Sequence, residues 1–290
     1  MEETSKVKEI PLAARAIVQS FLDEIIKISN RQLLAVYLTG SVSLNDYYAG
    51  KSDIDFLILC KEIPDTKFRR QLENVHSLIK QKFKKSNLSG IYLAFENLNI
   101  PHSHTFKTLS YHEGQMRETN FDAAPITLFE LKTTAITLFG IPAQELPVTT
   151  QINDVNKYLF ENINSYWKNW IGKSFLLSRR KWLLVIFPRL TEWVVLGVAR
   201  QLYTLRTGKI TSKTGAGYYC LLHLPAEHHA ILEQAIAIRK NTVKHLISLK
   251  SSYYIQPSIK RAEKTIKCAR SIIELFNNEY KEYEKKTTMF

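Results

Sequence analysis

Leu38-Thr-Gly-Ser-Val-Ser-Leu-Asn-Asp-Tyr-Tyr-Ala-Gly-Lys-Ser-Asp-Ile-Asp-Phe-Leu-Ile-Leu-Cys60 is the stretch on which the reading of this chain turns. Gly40 and Ser41 are followed, eleven residues on, by two aspartates one residue apart, Asp53 and Asp55. The apolar runs on either side, Leu33 to Leu38 and Phe56 to Leu59, are short, rich in branched residues and bounded by turn formers, so they predict buried strands. Gly40-Ser41 then falls on the turn leaving the first strand, and the aspartates open the second. Alternate side chains of a strand share a face, so residues 53 and 55 project on one side about 6.5–7 Å apart, with Ile54 turned into the core.

That spacing suits a divalent cation carrying phosphates. Mg2+ prefers oxygen ligands and takes one or two carboxylates, with water and substrate phosphates completing its shell. Transfer of a nucleotidyl group needs such an ion to neutralise the phosphates, and often a second to activate the attacking hydroxyl. A glycine lets the backbone approach phosphate, and a neighbouring serine hydroxyl can donate to it. Taken singly, Gly-Ser is an ordinary turn and Asp-x-Asp an exposed strand end. In this order, between two apolar strands, they predict a nucleotidyl-transfer site.

Gly40-Ser41 and Asp53-Ile54-Asp55 together resemble the signature of nucleotidyltransferases of the DNA polymerase β superfamily, and within it most resemble the aminoglycoside adenylyltransferases acting on streptomycin and spectinomycin. A second stretch, Arg200-Gln-Leu-Tyr203, Thr207-Gly-Lys-Ile210, Ser212-Lys213 and His223-Leu-Pro225, is similar to the helical C-terminal domain of those enzymes. The resemblance implies an α/β N-terminal nucleotidyltransferase domain, a small mixed sheet with flanking helices, over residues 1–148, and an all-α, basic domain over 149–290. It implies ATP as co-substrate, Mg2+ on Asp53 and Asp55, the triphosphate held by Gly40 and Ser41, and a hydroxyl of a small molecule, such as an aminoglycoside or aminocyclitol, as acceptor. Lys213, five residues after the glycine of Thr-Gly-Lys, falls where those enzymes use a lysine against the phosphates. Lys209 is a second candidate for that task, while Arg200 and Tyr203 orient the helix.

Two departures accompany the match. The family's general base is a glutamate on the third strand, and Gly90 to Phe95 carries no carboxylate. Glu96, which follows at once, is the candidate base, with Glu113, Glu118 and Asp122 as further choices. The family also grips its cationic drug with carboxylates on the helix before Arg-x-x-Tyr, where this chain has Ile186 and Leu190. Glu192 and Glu161 are the candidate substitutes. Trp167, Trp170, Trp182 and Tyr166 could stack on a sugar or base, although tryptophans at helical spacing more often form core.

Charge divides the chain. Residues 1–150 hold seventeen Lys plus Arg against seventeen Asp plus Glu, and 151–290 hold twenty-three against ten, so the whole surplus of thirteen lies in the second half. Such an excess attracts polyanions. It keeps open a nucleotidyltransferase acting on RNA or on a protein hydroxyl, and the missing carboxylate on the third strand keeps open a non-catalytic nucleotide-binding protein. The charged N-terminus is no secretory signal, and the apolar stretch Trp182 to Ala199 is broken by Pro188, Arg189 and Glu192, which predicts a buried helix and no membrane contact. Three scattered cysteines, Cys60, Cys220 and Cys268, predict free thiols in a cytoplasmic protein.

Further elements follow from periodicity. Helices are predicted over Leu12 to Ile28 and Asp65 to Lys85, with Asp65 as N-cap. A third strand is predicted over Ser89 to Phe95. Loops with one short strand follow over 97–125, then a helix Ile126 to Thr134 and a strand Ala135 to Phe139. Beyond Pro147 helices dominate, over 152–171, 175–187, 190–206, 213–223, 226–249 and 258–283.

Overall fold

A computed structural model describes residues 10–84, 87–99, 105–121, 124–172, 179–240 and 258–287, with only the backbone of 179–181. The chain divides into two compact units, Met1–Gln151 and Ile152–Phe290.

The first unit is built on a six-stranded sheet. Its strands are β1 (Leu33–Thr39), β2 (Ile54–Cys60), β3 (Leu88–Ala94), β4 (Phe106–His112), β5 (Gln115–Phe121) and β6 (Ile136–Gly140), in spatial order β5-β4-β3-β2-β1-β6. Only β2 and β3 run parallel; every other neighbouring pair is antiparallel. A parallel pair needs a crossover, which helix α3 (Thr66–Lys82) supplies; helix α1 (Leu12–Ile28) leads into β1, and the single turn α2 (Gly40–Ser43) leaves it. As expected, Asp65 caps α3, its Oδ1 accepting from the Phe68 amide at 2.7 Å.

Alternation along the strands sorts the two faces. Leu33, Val36 and Leu38 of β1 and Ile54, Phe56 and Ile58 of β2 join a core with Phe21 and Leu22 of α1 and Leu72 and Ile79 of α3. Ala35 and Tyr37 of β1, Leu57 and Leu59 of β2 and Leu93 of β3 face the other way, against Leu128 and Leu131 of helix α4 (Pro125–Thr134). Asp55, two residues before Leu57, therefore lies on the α4 face.

The segment expected to be mostly loop holds two strands, β4 and β5. They are joined by a two-residue turn, Glu113-Gly114, with both residues at positive φ (50° and 79°), the geometry of a tight hairpin. Gln115–Phe121 is almost wholly polar and exposed, so it lacks the apolar alternation that announces a strand.

The second unit is helical: α5 (Ile152–Asn162), a π-helical turn Ile163–Trp167, α6 (Lys168–Ile171), α7 (Arg179–Ile186), α8 (Pro188–Thr207), α9 (Lys213–His223), α10 (His229–Lys240) and α11 (Ile259–Thr287). Helix α8 is its spine, with Val194, Val195, Leu196, Val198, Ala199 and Leu202 fully buried. Trp167 packs on it at Gly197, where a Cβ would stand 2.5 Å from the indole. Arg206 donates from Nε and Nη2 to both carboxylate oxygens of Glu279 at 2.8 and 2.6 Å, tying α8 to α11. Among the described residues no helix is long and apolar enough to cross a membrane. Cys60, Cys220 and Cys268 are buried free thiols, each pushed up to about 12 by burial.

In the first core His76 of α3 is 1% exposed, stacked on Tyr111 at 3.6 Å between ring centroids, with Nε2 bonded to the Tyr92 hydroxyl at 2.7 Å. Burial pushes its imidazole down to about 3. The folded state thus resists protonation, so the stability this neutral ring contributes is intact above pH 6.5 and is lost as pH falls from 6.5 towards 3. Urea unfolding should show the wild type losing about 1.4 kcal/mol for each unit of acidification in that window relative to His76→Phe.

Candidate active site

The site begins with a glycine. Gly40 has φ +62°, a left-handed conformation that L side chains disfavour, and it turns the chain from β1 into α2. A Cβ there would stand 2.3 Å from Asp55 Oδ2. The carboxylate of Asp55, which pairs across the sheet with Thr39, occupies the space that any other residue at 40 would fill. Asp53 lies one residue before β2, with Ile54 between them fully buried, so the pair flanks an inward side chain as the spacing requires. Ser41 Oγ donates to the Asp53 carbonyl at 3.3 Å, clipping the turn to the start of β2. Tyr47 stands in the same loop; burial raises its phenol first, and the Asp53 carboxylate raises it further.

A third acidic side chain belongs to this face and was not picked out from the sequence. Glu130 of α4 accepts the Gly40 amide proton through Oε1 at 2.8 Å. Gly40 is thus held between the carboxylates of Asp55 and Glu130. Its sequence signal is slight: a glutamate between Leu128 and Leu131, on a helix with no acidic residue in its first turn.

Glu96 is not brought to the pair. Strands β2 and β3 are parallel and in register, Asp55 beside Ser89 and Cys60 beside Ala94. Glu96 is exposed in the 3-10 turn Phe95–Asn99, beyond the far end of β3. Five residues of strand, about 16 Å, separate that end from Ser89. The place beside Asp55 on β3 is taken by Ser89, whose hydroxyl is hydrogen-bonded to His112 Nδ1 at 2.9 Å. Glu113 is exposed in the hairpin turn, Glu118 lies 3.9 Å from both Arg69 and Lys107, and Asp122 falls outside the described residues.

Among the described residues no group of three or more His, Cys, Asp or Glu forms a cluster fit to hold a metal ion by itself. Two carboxylates flanking one buried isoleucine do fit Mg2+, which leaves most of its shell to water and substrate oxygens.

In the helical unit, Lys213 opens α9, where the Ser212 hydroxyl caps the helix by accepting from the Gly215 amide at 3.0 Å. Lys213 Nζ lies 3.5 Å from Glu192 Oε1 of α8, and Arg239 Nη1 of α10 lies 3.5 Å from the same oxygen. Burial lowers the Lys213 ammonium most; the Arg239 and Arg200 charges lower it further, while Glu192 pulls it up. One carboxylate oxygen thus serves two cations, with the charge of Arg200 also felt at Lys213. This corrects Glu192 as a grip for a cationic substrate: it is 7% exposed and already the internal counterion of Lys213 and Arg239. Lys209 is exposed after the left-handed cap Gly208, its carbonyl accepting from the Thr204 hydroxyl at 3.0 Å. Tyr203 stacks edge-on against Tyr219. Trp167, Trp170 and Tyr166 form an aromatic cluster around Trp193, whereas Trp182, Ile186 and Phe187 of the α7 segment are exposed. Glu161 is exposed as well.

An α/β unit followed by a helical unit has counterparts among known proteins. Residues 181–254 match the family model described as aminoglycoside adenylyltransferase, C-terminal domain, of which 241–254 lie outside the described residues. The helical unit is thus similar to that of the aminoglycoside adenylyltransferases. No curated protein matches the chain. Solved structures do, among them the spectinomycin adenyltransferase AAD(9) from Enterococcus faecialis, crystallised with ATP and spectinomycin. It matches at a TM-score of 0.62 and 17% identity, over 92% of this chain and 98% of its own, and the two share a fold across both units.

Two substitutions probe these arrangements. Gly40→Ala should lower the unfolding free energy by at least about 1–2 kcal/mol in urea titrations, from the left-handed backbone alone, before the displacement of Asp55 is added. Glu192→Leu should cost about 3–5 kcal/mol, since it removes from a nearly buried place the carboxylate that Lys213 and Arg239 both approach.

Proposed function

We propose that this chain is a metal-dependent nucleotidyltransferase that moves AMP from ATP to a hydroxyl of an aminoglycoside or aminocyclitol. The observation that carries the reading is the approach of Asp55 to the side-chain-free face of Gly40, on a strand whose preceding acidic residue, Asp53, flanks the same buried isoleucine. The match of residues 181–254 to the adenylyltransferase C-terminal family supports it, as does the shared fold with an enzyme solved with ATP and spectinomycin.

In this reading Asp53 and Asp55 hold Mg2+, which when bound offsets the phosphate charge and favours attack at phosphorus. Gly40 and Ser41 lie along the triphosphate, Gly40 leaving Asp55 its place beside the turn and Ser41 keeping the turn against Asp53. The acceptor hydroxyl attacks the α-phosphorus in line; the new phosphorus–oxygen bond forms as the bond to the bridging oxygen breaks, releasing pyrophosphate and a proton. Lys213, with Arg200 and Arg239 behind it, supplies positive charge for the departing pyrophosphate, a task a point charge performs well. Lys209, exposed, is the lesser candidate.

The test is direct. Purified protein with labelled ATP, Mg2+ and a panel including spectinomycin and streptomycin should yield labelled drug and pyrophosphate. Label on RNA or protein instead would move the acceptor to a macromolecule, and ATP uptake without transfer would make the chain a binding protein. Asp53→Asn and Asp55→Asn should each lower turnover by at least about 100-fold while leaving the thermal midpoint nearly unchanged, because both side chains lie outside the apolar cores.

A further inference from the structure

The hydrogen bond between the Gly40 amide and Glu130 has no role in the chemistry above, and its placement calls for one. Helix α4 is anchored by Leu128 and Leu131 in the core that lies on the same face as Leu57 and Leu59, two and four residues beyond Asp55. Glu130 sits between those anchors, and its side chain reaches the first amide of the turn, 90 residues earlier in the chain, at 2.8 Å. On its other side the same glycine makes room for Asp55 Oδ2, where a Cβ would stand 2.3 Å away. A third acidic group placed beside an acidic pair raises local repulsion, so it needs a compensating interaction. The Gly40 amide is that interaction.

We propose that Glu130 is a positioning residue for nucleotide binding: by holding the Gly40 amide it fixes the left-handed turn in the one conformation that leaves Asp55 its place and presents the backbone that follows, from Ser41 on, to phosphate. This rests on the nucleotidyl-transfer reading and deepens it. Gly40 has no side chain with which to hold its own geometry, and a glycine at positive φ has wide alternatives open to it. The constraint therefore comes from outside, through an anchored helix. Glu130 acts through Gly40, and the acceptor atom is what matters; the negative charge is incidental.

Calorimetry on the full chain with α,β-methylene-ATP and Mg2+, together with steady-state rates, tests this with two variants. Glu130→Gln keeps an oxygen that can accept from the Gly40 amide and should bind the analogue within about threefold of wild type. Glu130→Ala removes the acceptor and should weaken binding by about 10- to 100-fold, as a raised KM for ATP with a much smaller change in kcat. Thermal midpoints establish that both variants are folded. If Glu130→Gln is as impaired as Glu130→Ala, the carboxylate's charge or proton is what the site uses and the positioning role is wrong. If Glu130→Ala binds as well as wild type, or more tightly, Glu130 is a bystander or a competitor of phosphate, and the inference fails while the nucleotidyl-transfer reading stands. If the wild type itself takes up no ATP, that reading fails and this inference with it.

Discussion

A missing side chain governs the acidic site. Because Gly40 carries no Cβ, the chain can reverse out of β1 through a left-handed turn while the carboxylate of Asp55 lies against its backbone. Everything nearby conforms to that contact. Ser41 clips the turn to the carbonyl preceding β2, Glu130 takes the exposed amide, and Ile54 locks the strand into the opposite core so that the acidic residues on either side of it cannot rotate away. The alternation of a strand fixes which groups share a face, and a one-residue slip of β2 would exchange Asp55 for an apolar neighbour.

The helical unit handles charge differently. Glu192 is nearly buried, and in such a place a carboxylate is tolerated only because Lys213 and Arg239 converge on one of its oxygens. The arrangement keeps long flexible cations at fixed positions across three helices. Helix capping contributes too: Ser212 holds the first turn of α9, from which Lys213 projects.

How much of this is legible in the sequence depends on whether the determinant is local. Helix α1, the Asp65 cap of α3, strands β1 to β3 and the run of helices after Pro147 are announced by short-range periodicity and capping residues, and the sequence places them within a few residues where they fall on described residues, the expected helical stretches 175–178 and 241–249 lying outside them. The Gly-Ser and Asp-x-Asp pair is legible for the same reason, since both halves lie within one strand–turn–strand. The hairpin of β4 and β5 is hidden because its outer strand is polar on both faces. Glu130 is hidden because its partner is 90 residues away. Glu96 misleads because nearness in sequence to β3 says nothing of which end of the strand it occupies; the parallel pairing with β2 decides that. Glu192 misleads because a carboxylate's availability depends on the cations that other helices bring to it.

The polar character that conceals β5 also protects the unit. In the strand order β5 is an outermost member, and an outermost strand exposes backbone donors and acceptors that a strand from another molecule could pair with. Arg117 and Glu118, exposed along it, would place charge in any such junction, and the Glu113-Gly114 turn keeps the ribbon short. A growing stack of copies joined edge to edge is thereby discouraged by the very residues that make the strand hard to recognise.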